Sequence, residues 1–411
     1  MSVRVEILWL WAVMVFNPGN KRLWEMSANY DSISDFVQAA QNSEIDSMTE
    51  AEKERAGVVT FEQAEKVLND CDDMGIKYYS YESEGYPKHL KTIANPPAML
   101  FFKGNLDFLI DKRLIVVVGT RKPSEYSLDI TDKLCSDLIE RGFLLVSGFA
   151  EGIDQRVNTV SMNNGSFPIA VCGTSINYDY PRGSSEFKDL VSENGVVISE
   201  YYPGSRVFSG AFVNRNRISV GISDGVLFVE AKKDSHGLDN YNHAVYQGKP
   251  VFVVPPHDIF DKRYFGQRDL IRNECKPIFS VDDIVYTFSN GGNFDFGNIQ
   301  SLGEYNLPTD DSVFFNHEHE NKKSKKHKEL KHKKSDNKPL PDEEKNSAVK
   351  IDYSSLDDVQ GKICRLLENE NLIADDIAAK LELDISQVLS ELTELELFGY
   401  VKSLPGKMFG L

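Results

Sequence analysis

Leu114, Ile115, Val116, Val117 and Val118 form an unbroken apolar run, mostly β-branched, and no other stretch narrows so far what this chain can fold into. A strand apolar on both faces must be covered on both, which is the condition of a strand inside a parallel sheet. Gly119-Thr120-Arg121 ends the run. Ser127 to Arg141 then carries Leu128, Ile130, Leu134, Leu138 and Ile139 at helical spacing, and Gly142 follows as a stop. A second apolar strand, Phe143 to Val146, leads into Ser147-Gly148 and the turn Gly152-Ile153-Asp154. The stretch is therefore a βαβ unit with a glycine-marked turn after each strand. In a parallel α/β sheet those carboxyl ends share one edge, where ligands bind.

The alternation continues. Strands are expected at Ser166–Val171, Val196–Ser199, Val226–Val229 and Pro250–Val254, with helices at Val157–Asn163, Ser184–Glu193, Leu238–Tyr246 and Val281–Thr287. Six or seven parallel strands so separated predict a doubly wound α/β sheet over residues 76–288. Lys77–Ser80 and Ala98–Phe102 read as extended segments that lead into this sheet or join its edge. Residues 1–75 read as a small helical domain, with helices at Val3–Val15, Ser32–Gln41, Glu50–Ala56 and Phe61–Met74 and a structural turn at Asn17-Pro18-Gly19.

Residues 289–350 turn from Gly, Asn and Phe to Lys, His, Glu, Asp and Ser, too polar to bury a core, and predict a disordered tether. Its Lys/His run, Lys322 to Lys334, reads as solvated linker. Residues 351–411 again hold three apolar-faced helices, Val359–Leu367, Ala374–Leu381 and Ile385–Leu397, then a short hairpin, which is the pattern of a winged helix. Asp384, Glu391, Glu394 and Glu396 stand on its third helix where a groove reader carries Arg, Asn or Gln. A phosphate backbone would repel them, so the module is expected to bind protein or pack on the core.

Charge points the same way. With 46 basic against 63 acidic residues, a net of −17, the global field repels nucleic acid, and any such site must be local and geometric. Five scattered cysteines have no metal or redox spacing and suggest reduced thiols. The apolar run Ile7 to Phe16 lacks a small-residue cleavage site and is too short to span a bilayer, so a cytoplasmic protein without membrane attachment is expected.

At the sheet edge the chemistry favoured is anion binding. Backbone N–H groups freed by the glycines make a phosphate site, to which Arg121 adds a bidentate fork. No G-x-G-x-x-G occurs, which disfavours a dinucleotide, and no cofactor or metal is expected. A third segment, Phe212 to Asp224, places Arg215 and Arg217 about Asn216. The arginines would project toward the edge of Arg121, and Phe212 would offer a base a stacking plane. One of the two arginines is expected to pair with Asp224 or Glu230 inside the fold and the other to meet ligand.

Taken in order, GTRKPSEYS, VSGFAEGID, ISEYYPG, FVNRNRISVGISDGVLFVEA and GKPVFVVP resemble the DNA processing protein A family (DprA, also called Smf). YPKHLKTIANPPAMLFFKGN resembles its lead-in, and the winged helix matches in position. The resemblance implies a Rossmann-like core that binds single-stranded DNA, dimerises and hands the strand to the RecA recombinase during natural transformation. Carried over by motif, the DNA pocket comprises Gly119, Thr120, Arg121, Ser147, Gly148, Gly152, Asp154, Phe212, Arg215, Asn216 and Arg217. This chain departs from the pattern at Ser235 to Tyr241, where the usual Thr-Ala is lost, at Pro256, and at Gly266 to Ile271. Ser209 and Glu151 stand where basic residues are common, and Arg206, Lys262 and Arg268 are placed to compensate.

No nucleophile–base pair stands near the glycine turns, so a binding protein without catalytic residues is expected. The alternative is a Rossmann-like nucleotide phosphohydrolase or nucleosidase, for which Glu200 and Glu230, each ending an expected strand, would activate water. Pairing of either with Arg215 or Arg217 is the structural counterpart of that role. A third reading is an interaction scaffold acting through its winged helix.

Overall fold

A computed structural model describes residues 3–289 apart from Asp111 and Asp234, and residues 358–410 apart from 369, 382, 384, 386–387, 389–390, 393–394, 396–399 and 405–407. The expected tether, with its Lys/His run, lies outside the described residues, as do Asp384, Glu394 and Glu396. The chain divides into two compact units, Met1–Phe294 and Asp295–Leu411.

The first unit opens with helices α1 (Val5–Phe16), α2 (Lys21–Ser27), α3 (Ile33–Gln41), α4 (Glu50–Val58) and α5 (Phe61–Asp73). Strands β1 (Lys77–Ser80) and β2 (Met99–Gly104) follow. Then come β3 (Arg113–Val118), α6 (Glu125–Glu140), β4 (Phe143–Ser147), α7 (Ile153–Asn163), β5 (Ile169–Cys172), α8 (Ser185–Asn194) and β6 (Val196–Ser199). The unit closes with α9 (Ser209–Asn214), α10 (Asn216–Ile222), β7 (Gly225–Phe228), α11 (Asp239–Tyr246), β8 (Val251–Val253), α12 (Phe265–Arg272), β9 (Lys276–Pro277) and α13 (Val281–Ser289).

The nine strands form one sheet, ordered β1-β2-β6-β5-β4-β3-β7-β8-β9. From β6 to β9 all neighbours are parallel, while β1 and β2 join the edge antiparallel. The doubly wound α/β expectation thus holds, and the order reverses at β3, between β4 and β7.

Side-chain alternation explains the layers. Leu114 and Val116 of β3, Leu144 and Val146 of β4 and Val226 and Phe228 of β7 pack on one face, with Ile218 and Val220 of α10 and Ala244 of α11. Ile115 and Val117, Leu145 and Leu227 point the other way, against α6, α7 and α13. The remainder of that second face, with Met99, Phe101, Ala170, Cys172 and Val197, is covered by the N-terminal helices, so residues 1–75 and the sheet share one apolar cluster. Helix α1 is buried nearly all round because it is the centre of that cover. No described helix is long and apolar enough to cross a membrane.

Three local expectations shift. Helix α2 stands where only a turn and spacer were expected, started by Asn20, whose side chain accepts from the Arg22 N–H. Helix α7 begins four residues early, at Ile153, because Gly152 at φ 78° supplies the turn; Asp154 is thereby a first-turn helical residue. The segment that carries Arg215, expected only to project its arginines toward the edge, forms two short helices that meet at that arginine.

In the second unit, α14 (Asp358–Leu367), β10 (Leu372–Ile373), α15 (Ala374–Leu381), β11 (Lys402–Leu404) and β12 (Met408–Gly410) surround a core of Ile363, Cys364, Ile377, Val388, Leu392 and Leu395. The sheet order is β10-β12-β11, antiparallel, as a winged helix requires. Glu391 is drawn inward, accepting from Gln360 Nε2 at 2.9 Å, and so does not belong to an open acidic face.

Candidate nucleic-acid interface

The carboxyl ends of β3 and β4 interlock through two glycines. A Cβ on Gly119 would lie 2.3 Å from Ile153 Cγ1, and one on Gly152 would lie 2.5 Å from the Thr120 carbonyl oxygen. Glycine at both positions lets the first turn of α7 dock on the 119–121 loop, where the Ile153 N–H donates to Thr120 O at 3.2 Å. The Arg121 side chain is exposed and makes no ion pair among the described residues.

The third glycine makes room for a cation. A Cβ on Gly148 would come 1.8 Å from Nη1 of Arg215, so the guanidinium lies directly against the Gly148 backbone. Arg215 is 8% exposed, its Nε has no hydrogen-bond partner, and no ion pair reaches it among the described residues. Burial pushes its pKa below the ordinary arginine value, with the Asp154 carboxylate pulling the other way. Burial likewise pushes the Asp154 carboxyl up, against the opposing charge of Arg215, the N–H of Ala150 and the charge of Arg121. Ala150 N–H donates to Asp154 Oδ2 at 3.1 Å. The helix N-terminus, Asp154, Arg215 and Arg121 therefore form one electrostatic group.

Phe212 sits over Gly173, where a Cβ would meet Phe212 Cδ1 at 2.8 Å, and its ring centroid is 4.6 Å from that of Tyr180. Both rings are only part-buried. Burial raises the Tyr180 hydroxyl pKa, and the charges of Arg121 and Arg215 act against that rise, so Tyr180 borders the same cradle. The signal the sequence offers for Tyr180 is an aromatic in the loop after an expected parallel strand. Beside the cradle is a cavity of about 420 Å³ lined by Glu151, Gln155, Thr159, Arg182, Ser184 and Phe187, among others.

Three expected residues do not face the edge. Ser147 is fully buried and donates to Asn158 Oδ1 at 3.1 Å. Asn216 is 5% exposed and donates to the His236 carbonyl at 3.4 Å. Arg217 is the structural arginine. Its Nη2 donates to Glu200 Oε1 at 2.5 Å, its Nε to Asn95 O at 2.7 Å and its Nη1 to Asn214 O at 3.1 Å. The expected partners serve elsewhere: Asp224 pairs with Arg113 and accepts from the Leu114 N–H, and Glu230 accepts from Ser124. Glu200 and Glu230 are 3% and 1% exposed, so neither presents a carboxylate to a water at the edge. Of the compensating residues, Arg206 and Lys262 are exposed, whereas Arg268 lies 4.0 Å over the Phe265 ring. Ser209 begins α9, and its side chain lies outside what is described.

A doubly wound sheet whose carboxyl edge is cleared by glycines around cations, joined in sequence to a winged helix, defines a Rossmann-like protein with a cationic sheet edge. The sequence itself is more specific. Residues 77–289 match the model of the DNA recombination-mediator protein A family and residues 352–407 that of the DprA winged helix domain, so the chain belongs to the DprA family of DNA-processing proteins. The DNA processing protein DprA of Bacillus subtilis is 34% identical over 219 residues, 53% of this chain and 73% of its own. Its counterpart in Streptococcus pneumoniae is 34% identical over 210 residues, 51% and 73% of the respective chains. The X-ray structure of DprA from S. pneumoniae covers 70% of this chain and 98% of that one, with a TM-score of 0.60 at 27% identity.

Proposed function

We propose that this protein binds single-stranded DNA without reading its sequence, protects it, and loads the RecA recombinase onto it during natural transformation, acting in the cytoplasm as a homodimer joined through its Rossmann-like core. The observation that carries the DNA-binding step is Arg215. The buried guanidinium feels the Asp154 charge but has no carboxylate within ion-pair distance among the described residues; burying a charge so incompletely paired is costly, and a phosphate seated over Gly148 would supply the direct partner. Arg121, exposed and unpaired beside it, would take the same or the next phosphate. Phe212 and Tyr180 offer ring faces to a base, a grip that tolerates any sequence. The exposed Glu151 stands on this rim and lowers the affinity it would otherwise have. The RecA and dimer contacts rest on family membership.

The test is fluorescence anisotropy of a labelled mixed-sequence oligonucleotide over a salt series, with the intact protein, Arg121→Ala and Arg215→Ala. Binding that weakens with salt and is largely lost in both variants supports the reading. Absence of binding by the intact protein at low salt refutes it. RecA filament growth on the same oligonucleotide, with and without this protein, tests the loading step.

A further inference from the structure

The edge continues past β3 into a surface that the cradle does not use. Three strand ends are tied together there. Ser124, the N-cap of α6 just after Arg121, donates to Glu230 Oε2 at the end of β7, from N and Oγ alike at 2.9 Å. Tyr264 Oη lies 2.9 Å from the same Ser124 Oγ. The Gly266 N–H donates to Ala231 O at 2.9 Å, and a Cβ on Gly266 would lie 2.6 Å from Lys232 O. The loop after β8 thus returns to α6 at Tyr264. It also leaves from there, since the His257 ring is 4.7 Å from that of Tyr126 in the first turn of α6.

Between those two anchors stands Phe260, 82% exposed. Its N–H donates to Asp258 Oδ1 at 2.8 Å, which fixes the turn on which the ring is presented. A ring so exposed on a pinned apex contributes nothing to the core. On the loops so tied, Lys122, Lys232, Lys233 and Lys262 are exposed and make no ion pair among the described residues. The two acidic groups of the loop are engaged, Asp258 with the Phe260 N–H and Asp261 with Arg263 at 2.6 Å. Lys122 follows β3 and Lys232 and Lys233 follow β7, the two strands between which the order reverses and where ligands usually enter open α/β sheets, and Phe260 stands on the next loop, after β8.

We propose that this surface carries the DNA strand onward from Arg121, with Lys232 and Lys233 on successive phosphates and Phe260 stacked on a base. The inference rests on the reading that the cradle binds single-stranded DNA, and lengthens the footprint from the β4–β3 edge across β7 to β8.

The experiment is an anisotropy series on labelled oligo-dT from about 4 to about 20 nucleotides, with the intact protein, Phe260→Ala and the double variant Lys232→Ala/Lys233→Ala. Melting curves confirm that each is folded. Both variants should bind the shortest oligonucleotides as the intact protein does and the longest about tenfold more weakly. The double variant should also lower the slope of log affinity against log salt by about 1.4 on the long oligonucleotide, for two phosphates lost. Variants that match the intact protein at every length overturn this inference while leaving the cradle standing, provided Arg121→Ala still abolishes binding. Failure of the intact protein to bind any length removes both.

Discussion

Replacing Gly148 by alanine adds one carbon at the point where Arg215 rests. The backbone there has no positive φ, so alanine meets no conformational strain of its own. The added Cβ would sit 1.8 Å from Nη1, whereas ordinary contact begins near 3.4 Å. The guanidinium must therefore withdraw by roughly 1.6 Å or more, which turns a hydrogen bond of about 2.8 Å into no bond at all. Charge-assisted bonds contribute about 1.5 to 3 kcal/mol each. Loss of the Arg215–phosphate contact should then cost about 2 to 3 kcal/mol, a 30- to 150-fold rise in Kd for single-stranded DNA. Stability should fall less, by about 1 to 2 kcal/mol, since what yields is the far end of a side chain. The assay is anisotropy with the intact protein, Gly148→Ala, Arg215→Ala and the double variant, alongside thermal melts. Once Arg215 is removed the alanine has room, so the double variant should bind no worse than Arg215→Ala alone. Undiminished binding by Gly148→Ala, or losses that simply add, would refute the assignment of Arg215 to the phosphate.

Three further outcomes are expected. Phe212→Ala should weaken oligo-dT and mixed-sequence oligonucleotides alike, by about 1 to 3 kcal/mol in anisotropy titrations, and Phe212→Trp should restore most of it. Glu200→Gln leaves the buried Arg217 without its counter-ion and should cost about 3 to 5 kcal/mol in urea unfolding, far more than any exposed carboxylate. Glu52 pairs with Arg22 at 2.8 Å, and that hydrogen bond holds its carboxyl down at about 2, below the ordinary 4.5. Because the folded value is the lower one, the stabilisation is complete above pH 5 or so and is lost as pH falls through 4.5 toward 2. Glu52→Gln should therefore cost on the order of 2 kcal/mol at pH 7 and almost nothing near pH 2 in denaturant melts.

Much of the sheet was legible because its residues answer to local rules. The run Leu114 to Val118 had to be a covered strand, and Lys77–Ser80 and Met99–Gly104 do join its edge. The family motifs were legible for a different reason, since three of their glycines meet a neighbour that any Cβ would strike. Partner choice was not legible. Arg217 finds Glu200, just past a strand separated from β7 by three others, and nothing in the spacing of Asp224 or Glu230 could disclose that. Nor does polarity reveal direction: Ser147 and Asn216 read as edge donors but spend their hydrogen bonds inside. Tyr180 enters the site only because the chain folds back over Phe212, a tertiary contact without a local signature.

The shared apolar cluster has a consequence for how the chain is made. Helix α1 leaves the ribosome before every strand it covers, and the surfaces it covers include Met99, Phe101, Ala170, Cys172 and Val197. At about 5 to 20 residues per second, the sheet face that shelters its tryptophans is complete only roughly ten seconds or more after the helix emerges. For that interval Trp9, Leu10, Trp11 and Val13 have only the other N-terminal helices for company, which makes the nascent segment a natural client for chaperones that hold exposed apolar chain. The last-made third of the sheet, β7 to β9, needs no such delay, since its strands add one by one to a neighbour already in place.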